Sequence, residues 1–282
     1  MKIIDPHLHL FDLAEGDYGW LKPDPPPAWP DKPQLRRDYL EADLKLPSPL
    51  ELEGFVHIEA GFDNAAPWRE LAWLERHCRR PFRSIAFADL RQADFAEVLD
   101  RLQSYPSLVG IRQILDERAA ELLSLKTVAD ALERLGAKQL IFEAQLFATD
   151  DESVAQLCRQ LAANPELRVC IGHGGFPPID GGRWVAWQAN IGRLAQFPHC
   201  AIKCSGWELV ARRWRPRWAE QVLGTVIERF GIERVMLASN FPLCELATRY
   251  GELWQWYCSL PGFTETEREA LCSGNARRWY GF

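Results

Sequence analysis

Ile3-Ile4-Asp5-Pro6-His7-Leu8-His9 is the stretch on which the fold turns. Its apolar, β-branched start reads as a buried strand. It ends in His-Leu-His, where an open doubly wound sheet usually carries a glycine-rich phosphate turn after its first strand. Seven further runs share its length and character: 54–60 (GFVHIEA), 84–90 (SIAFADL), 108–114 (LVGIRQI), 140–146 (LIFEAQL), 168–173 (RVCIGH), 201–205 (AIKCS) and 234–239 (RVMLAS). Helical patterns lie between them. Residues 67–79 begin at Pro67 and carry Leu71 and Leu74. Residues 126–135 repeat Val128, Leu132 and Leu135 and stop at Gly136, a natural C-terminal cap. Residues 152–163, 183–196, 217–230 and 264–279 read as single helices. Eight such strands, most followed by a helix, pair in parallel through crossovers. The reading is an α/β protein, a single (β/α)8 TIM barrel over residues 1–282, in preference to an open sheet.

The bulk composition narrows the partners. Of 282 residues, 47% are apolar and 26% charged, enough to bury a large core. The net charge of −6 supplies no field for displacing counterions, so nucleic acid is not the expected partner. The basic run Arg212-Arg213-Trp214-Arg215-Pro216-Arg217 is a local exception, and such a run is commonly the solvated start of a helix. No segment reaches the roughly 18 apolar residues of a membrane span. Met1-Lys2-Ile3-Ile4-Asp5 has no apolar stretch of signal-peptide length. The eight cysteines show no CxxC spacing and several lie in apolar runs, so reduced thiols and a cytoplasmic location are expected. The sequence sets no oligomeric state. Residues 21–33 (LKPDPPPAWPDKP), flanked by Trp20, form a Pro/Trp-rich loop at about 20–33. In a barrel this loop stands on the catalytic face, as a lid or substrate wall or as a stiff surface excursion.

Side chains two apart on a strand share a side, so His7 and His9 project together from the end of the first strand. Barrel enzymes build their sites at that end. His173 ends the sixth strand in the same way and is followed by Gly174-Gly175, which lets backbone come close to a ligand. The last strand runs into Ala238-Ser239-Asn240-Phe241-Pro242.

At this point the chain resembles the amidohydrolase-related metal-dependent hydrolases (amidohydrolase 2), in the branch that contains bacterial lactonases. The matching pieces are Asp5-Pro6-His7-Leu8-His9, Val56-His57-Ile58-Glu59-Ala60, Gly110-Ile111-Arg112-Gln113 and Gly172-His173-Gly174-Gly175. Lys203-Cys204-Ser205-Gly206, Ser239-Asn240-Phe241-Pro242 and Asn275-Ala276-Arg277-Arg278-Trp279-Tyr280 complete an ordered set spanning the whole chain. The resemblance implies a hydrolase acting on a small, anionic lactone of sugar-acid or aromatic-catabolism type. It implies catalytic roles at His7, His9, His173 and the position of Asn240, where the family typically carries an aspartate that serves as base or metal ligand. Asparagine cannot accept the proton of water. The base must then lie elsewhere, with Glu59, Asp89, Glu143 and Asp12 as candidates, or hydrolysis is lost and the barrel only binds a small acid. A metal-dependent decarboxylase is a further alternative within the resemblance. Two site designs stay open: a divalent metal such as zinc on His7, His9 and His173, or a metal-free site. Arg112 would reach the mouth from the fourth strand to bind substrate or an oxyanion, or to bridge a strand-end carboxylate. His57 is a second candidate substrate contact, with a satisfied core histidine as the alternative. Lys203 would pair with Glu143 or Glu59.

Overall fold

The structure, a computed structural model, describes residues 1–282 and places eight parallel strands in one sheet, in chain order. They are β1 (Lys2–Leu8), β2 (Glu51–Ile58), β3 (Phe82–Phe87), β4 (Leu108–Ile114), β5 (Ile141–Gln145), β6 (Val169–Ile171), β7 (Cys200–Cys204) and β8 (Val235–Leu237). Every expected strand is present, with its ends shifted by a few residues. The ring closes just beyond the three-residue β8. Asn240 donates its backbone N–H to the His7 carbonyl at 2.9 Å, and His9 donates to the Phe241 carbonyl at 2.6 Å. The result is the (β/α)8 barrel.

The first strand is irregular where it matters. From Asp5 to Leu8, β1 advances three residues while β2 advances two, from Phe55 to His57. Such a bulge reverses the in–out parity of the strand. Ile4 below it belongs to the interior cluster, and the His7 ring above it also faces inward, 4.6 Å from that of His173.

The barrel interior is filled at its floor by Ile4, Val56, Ile58, Ile85, Ile141 and Met236, closed from beneath by Ala276 and Tyr280 of the C-terminal helix. Lys203 and Glu143 form a fully buried ion pair at 2.8 Å, and the Tyr280 hydroxyl also donates to Glu143. Gly110 faces inward, where a Cβ would stand 2.4 Å from the Ile141 carbonyl oxygen and 2.7 Å from Ile85 Cδ1. Glycine is required there because β4 and β5 leave no room for a methyl group. The larger core lies between the sheet and its helices.

Those helices include Trp68–His77, Lys126–Ala137, Asp151–Ala163, Trp184–Leu194 and Pro216–Phe230. The expected stop at Gly136 is corrected: the helix continues to Ala137, and Gly136 is buried where a Cβ would approach the Leu167 backbone at 3.2 Å. Its small size serves packing instead of capping. The last helix spans 265–280 but carries a π-helical turn at Ala270–Gly274. Phe95–Leu102, Ala119–Ser124 and Tyr250–Cys258 are additional helices that the periodicity did not announce. No α-helix separates β1 from β2. That span holds only three short 3-10 turns, and the Pro/Trp-rich loop is knotted by the buried Lys32 ammonium, which donates to the carbonyls of Trp20, Pro23 and Pro25. No helix is long and apolar enough to cross a membrane, and all eight cysteines are free thiols.

Two substitutions test this interior. Gly110→Ala is expected to destabilise the fold by about 1–3 kcal/mol through overpacking, read by urea denaturation. Lys203→Met strands a buried carboxylate and is expected to cost about 3–5 kcal/mol, with most of that recovered in Lys203→Met/Glu143→Leu. A double variant no more stable than the single one would show that the pair is not the reason.

Candidate active site

The strand ends bring the expected residues to one place. His7 lies within β1, His9 one residue past it, His173 two past β6 and Asn240 three past β8, and all four are buried. The His7 ring centroid is 5.1 Å from that of His9 and 4.6 Å from that of His173. Neither His7 ring nitrogen has a protein partner although both are buried. Buried polar atoms are normally satisfied, so this ring is aimed at a group the site receives.

His173 is held by an uncommon backbone. His173, Gly174, Gly175 and Phe176 all have positive φ, at 53°, 60°, 65° and 53°. Left-handed backbone at a histidine is strained and is found where surrounding structure enforces it. Gly206 is part of that enforcement: a Cβ there would sit 2.4 Å from His173 Nδ1. Ser205 Oγ lies 3.1 Å from the same nitrogen, leaving Nε2 without a protein partner. Asn240 also has positive φ, at 59°, a conformation that asparagine tolerates better than most residues. His9 Nδ1 lies 2.8 Å from the Ile58 carbonyl, and an acceptor there fixes the proton on Nδ1. Its Nε2 then lies 3.3 Å from Asn240 Oδ1.

The other expected residues are more heavily engaged. Arg112 Nε donates to Glu59 Oε1 at 2.8 Å, Nη2 to the Glu59 carbonyl and Nη1 to Gln145. That uses three of the five N–H donors of a guanidinium. His57 shares the outward face of β2 with Phe55, while Val56 and Ile58 point inward. Its Nε2 pairs with Glu70 at 3.0 Å and its Nδ1 accepts from the Leu10 N–H, so no ring nitrogen is left for substrate. Of the carboxylates considered as base, Glu143 is tied to Lys203 at the floor and Glu59 to Arg112. Asp89 is bound by Arg91, whose hydrogen bonds pull its pKa down to about 2. Asp12 caps Ala14 and accepts from Trp73 on the helix side.

Two acids escaped the sequence reading. Glu208, in the short helix Trp207–Val210 after β7, is buried with Oε1 2.5 Å from Asn240 Nδ2. Its signal was a lone acid inside the apolar run Trp207-Glu208-Leu209-Val210, directly after a strand end. Asp5 accepts the backbone N–H groups of His7 and Ser239. Above the mouth, Arg212 donates to both oxygens of Asp31, stacks over Trp29 at 4.9 Å and donates to the Glu208 carbonyl. One residue of the basic run thus fastens the Pro/Trp-rich loop to the segment after β7.

Burial dominates the electrostatics. It holds His7 and His9 well below the usual histidine range and His173 at about 3, helped by the cations Arg112 and Lys203. Burial likewise raises Asp5 to about 6 and Glu208 to about 7. The mouth therefore holds neutral imidazoles at pH 7. In kind, these donors fit a divalent ion such as zinc: neutral rings whose far nitrogens are oriented by Ile58 and Ser205. In the present side-chain arrangement no three His, Cys, Asp or Glu groups are set to hold a metal ion together.

Comparison with known proteins agrees with this fold. Residues 4–282 match the amidohydrolase family. The protein y4mH of Sinorhizobium fredii is 30% identical, the match covering 99% of this chain and 98% of that protein. An L-fucono-1,5-lactonase of Burkholderia multivorans is 27% identical over 98% and 95% of the two chains. The crystal structure of an amidohydrolase from Burkholderia multivorans with bound zinc superimposes with a TM-score of 0.80, at 25% identity and over the full length of both chains. A family match over nearly the whole barrel, with three histidines gathered at its mouth, makes this chain a hydrolase of the amidohydrolase family.

Proposed function

We propose that the protein hydrolyses a small, anionic lactone at the mouth formed by His7, His9, His173, Arg112 and Asn240. The carrying observation is His7, a buried neutral imidazole with both nitrogens unpartnered, set between His9 and His173. Such a ring can donate to a carbonyl oxygen without first losing a protein partner. The names of the relatives at 26–27% identity, L-fucono-1,5-lactonase, support the same class of substrate.

In this reading the lactone carbonyl lies against His7, and the two remaining N–H donors of Arg112 receive either the developing oxyanion or the substrate carboxylate. Ser205 fixes the His173 ring so that Nε2 faces the reacting centre and can exchange a proton there. Asn240 holds water or substrate by hydrogen bonding. His57 acts from outside the barrel wall, steadying the Leu10 backbone next to His9. His7, His9 and His173 would hold a zinc ion, which when bound supplies Lewis acidity and a bound water of lowered pKa. Because burial lowers all three histidine pKa values, they stay neutral from pH 8 down through 6.5, and their loss of function belongs to more acidic solution.

A panel of sugar 1,5- and 1,4-lactones and 2-pyrone carboxylates, assayed alongside elemental analysis, tests this. At least one lactone should turn over, with kcat falling about 100-fold or more in both His7→Asn and His173→Asn. Full turnover in both variants would overturn the assignment. So would carbon dioxide release from an aromatic acid with no lactone hydrolysis.

A further inference from the structure

We propose that Glu208 is the acid–base carboxyl of this site, set one link behind Asn240 in place of an acid at position 240 itself. The inference rests on the hydrolytic reading above and supplies a proton acceptor that, unlike His173, titrates near neutrality.

Hydrogen-bond polarity carries the argument. The Ile58 carbonyl accepts from His9 Nδ1, so His9 Nε2 presents a lone pair towards Asn240. The Asn240 amide bridges that lone pair and Glu208 Oε1. Its two ends are an acceptor and a donor, related by a half-turn of the amide. With the N–H₂ end towards His9, the carbonyl end meets Glu208, and only a protonated carboxyl can donate to it. With the N–H₂ end towards Glu208, the arrangement in this structure, the carboxylate accepts, and the amide oxygen that then faces His9 Nε2 is satisfied only if the His9 proton moves from Nδ1 to Nε2. Glu208 is therefore the member of the chain that can carry or release a proton while Asn240 reports its state to His9. A hydrolase that adds water to a carbonyl needs such a group.

Elimination points the same way. Glu59, Asp89 and Glu143 are each held by a cation and Asp12 lies towards the outer helix. Glu208 takes Asn240 Nδ2 on Oε1, its own backbone N–H is also directed at the carboxyl, and no cation binds it directly. The groups facing the carboxyl are Arg212 on its own segment, Cys244 beyond β8, Tyr257 on the helix Tyr250–Cys258, and Asn240. Arg212 is the one cation among them, and it is already spent on Asp31. Burial consequently outweighs it and holds the carboxyl at about 7, where uptake and release are balanced near neutrality.

The step balances without another reagent. Water oxygen bonds to the lactone carbonyl carbon while its proton passes, directly or through one further water, to the Glu208 carboxylate oxygen that Asn240 does not bind, since the amide itself relays no proton. The tetrahedral intermediate then breaks its bond to the ring oxygen, which takes that proton back. The product is the open hydroxy acid, and Glu208 is regenerated as carboxylate.

Glu208→Gln should keep the fold, checked by thermal melting, and lose about 100-fold or more in kcat with little change in KM. It should also lose the kcat limb that rises with pH through about 7. Adding Asn240→Asp to Glu208→Gln restores a carboxyl one link nearer and should recover part of kcat with that limb moved to lower pH. Glu208→Gln with wild-type kcat and an unmoved pH profile would overturn the proposal. A substrate-free measurement separates this from failure of the lactone reading. Infrared difference spectra of the wild type should show a carboxyl titrating near 7 that vanishes in Glu208→Gln and persists in Asp5→Asn. If no such band is found, Glu208 is not the group, whatever the lactone panel gives. If Glu208→Gln fails to fold, Glu208→Asp is read instead, and an unshifted pH limb there counts against the assignment.

Discussion

The barrel is closed by two backbone hydrogen bonds, and the residues that make them belong to the site. Asn240 N–H to the His7 carbonyl and His9 N–H to the Phe241 carbonyl join the first and last strands beyond the end of the short β8. Asp5 reinforces the seam by accepting the N–H groups of His7 and Ser239 with one oxygen. Ring closure and site assembly are consequently one event. The positions of His7, His9 and Asn240 cannot drift relative to one another without opening the barrel. This is the preorganisation that places donors before the charge they stabilise has developed.

The seam also explains the electrostatic character of the mouth. Three imidazoles are gathered where water is excluded, with Arg112 and Lys203 nearby, and no carboxylate is placed directly on the rings. Desolvation and cationic neighbours both favour neutral histidine. Each cation has its own acid, Glu59 for Arg112 and Glu143 for Lys203, so neither acid is spare. An aspartate at position 240 would add negative charge beside His9. Asparagine keeps the left-handed backbone and the hydrogen-bonding reach of that position while the charge moves back to Glu208.

Much of the fold was legible because each strand is a short apolar, β-branched run bounded by polar residues, and burial on both faces requires that pattern. His7, His9 and His173 were legible because they end such runs. The irregular features were not. His57 read equally as a substrate contact or a satisfied core histidine, and parity decides between them: Val56 and Ile58 occupy the inner face, so His57 faces the helices with Phe55. The β1 bulge is set by pairing with β2 and leaves no local mark. Helices such as Phe95–Leu102 are two turns long, too short for a period to repeat. Glu208 sits on a four-residue helix, too short for any period, and its partners Asn240 and Arg212 are distant or loop-borne in the sequence.

Those loop contacts separate two tasks that the strands alone would leave fused. The Pro/Trp-rich loop is organised internally by Lys32, which donates to three of its own carbonyls, and is seated on the barrel by Trp20, whose indole N–H donates to the Ala60 carbonyl at 2.8 Å. It meets the catalytic ring through Arg212, which grips Asp31 and Trp29 on one side and the Glu208 carbonyl on the other. Changes in the outer part of the loop, at its prolines or Trp29, would leave the strand-end histidines in place, because those are held by the strands and by the seam between β1 and β8. The cost of that freedom is concentrated in Arg212. Any loop that no longer offers it an acid releases a cation beside Glu208, and a freed cation favours the carboxylate over the acid. Arg212 is thus the contact through which a change in this loop would reach the Glu208 segment.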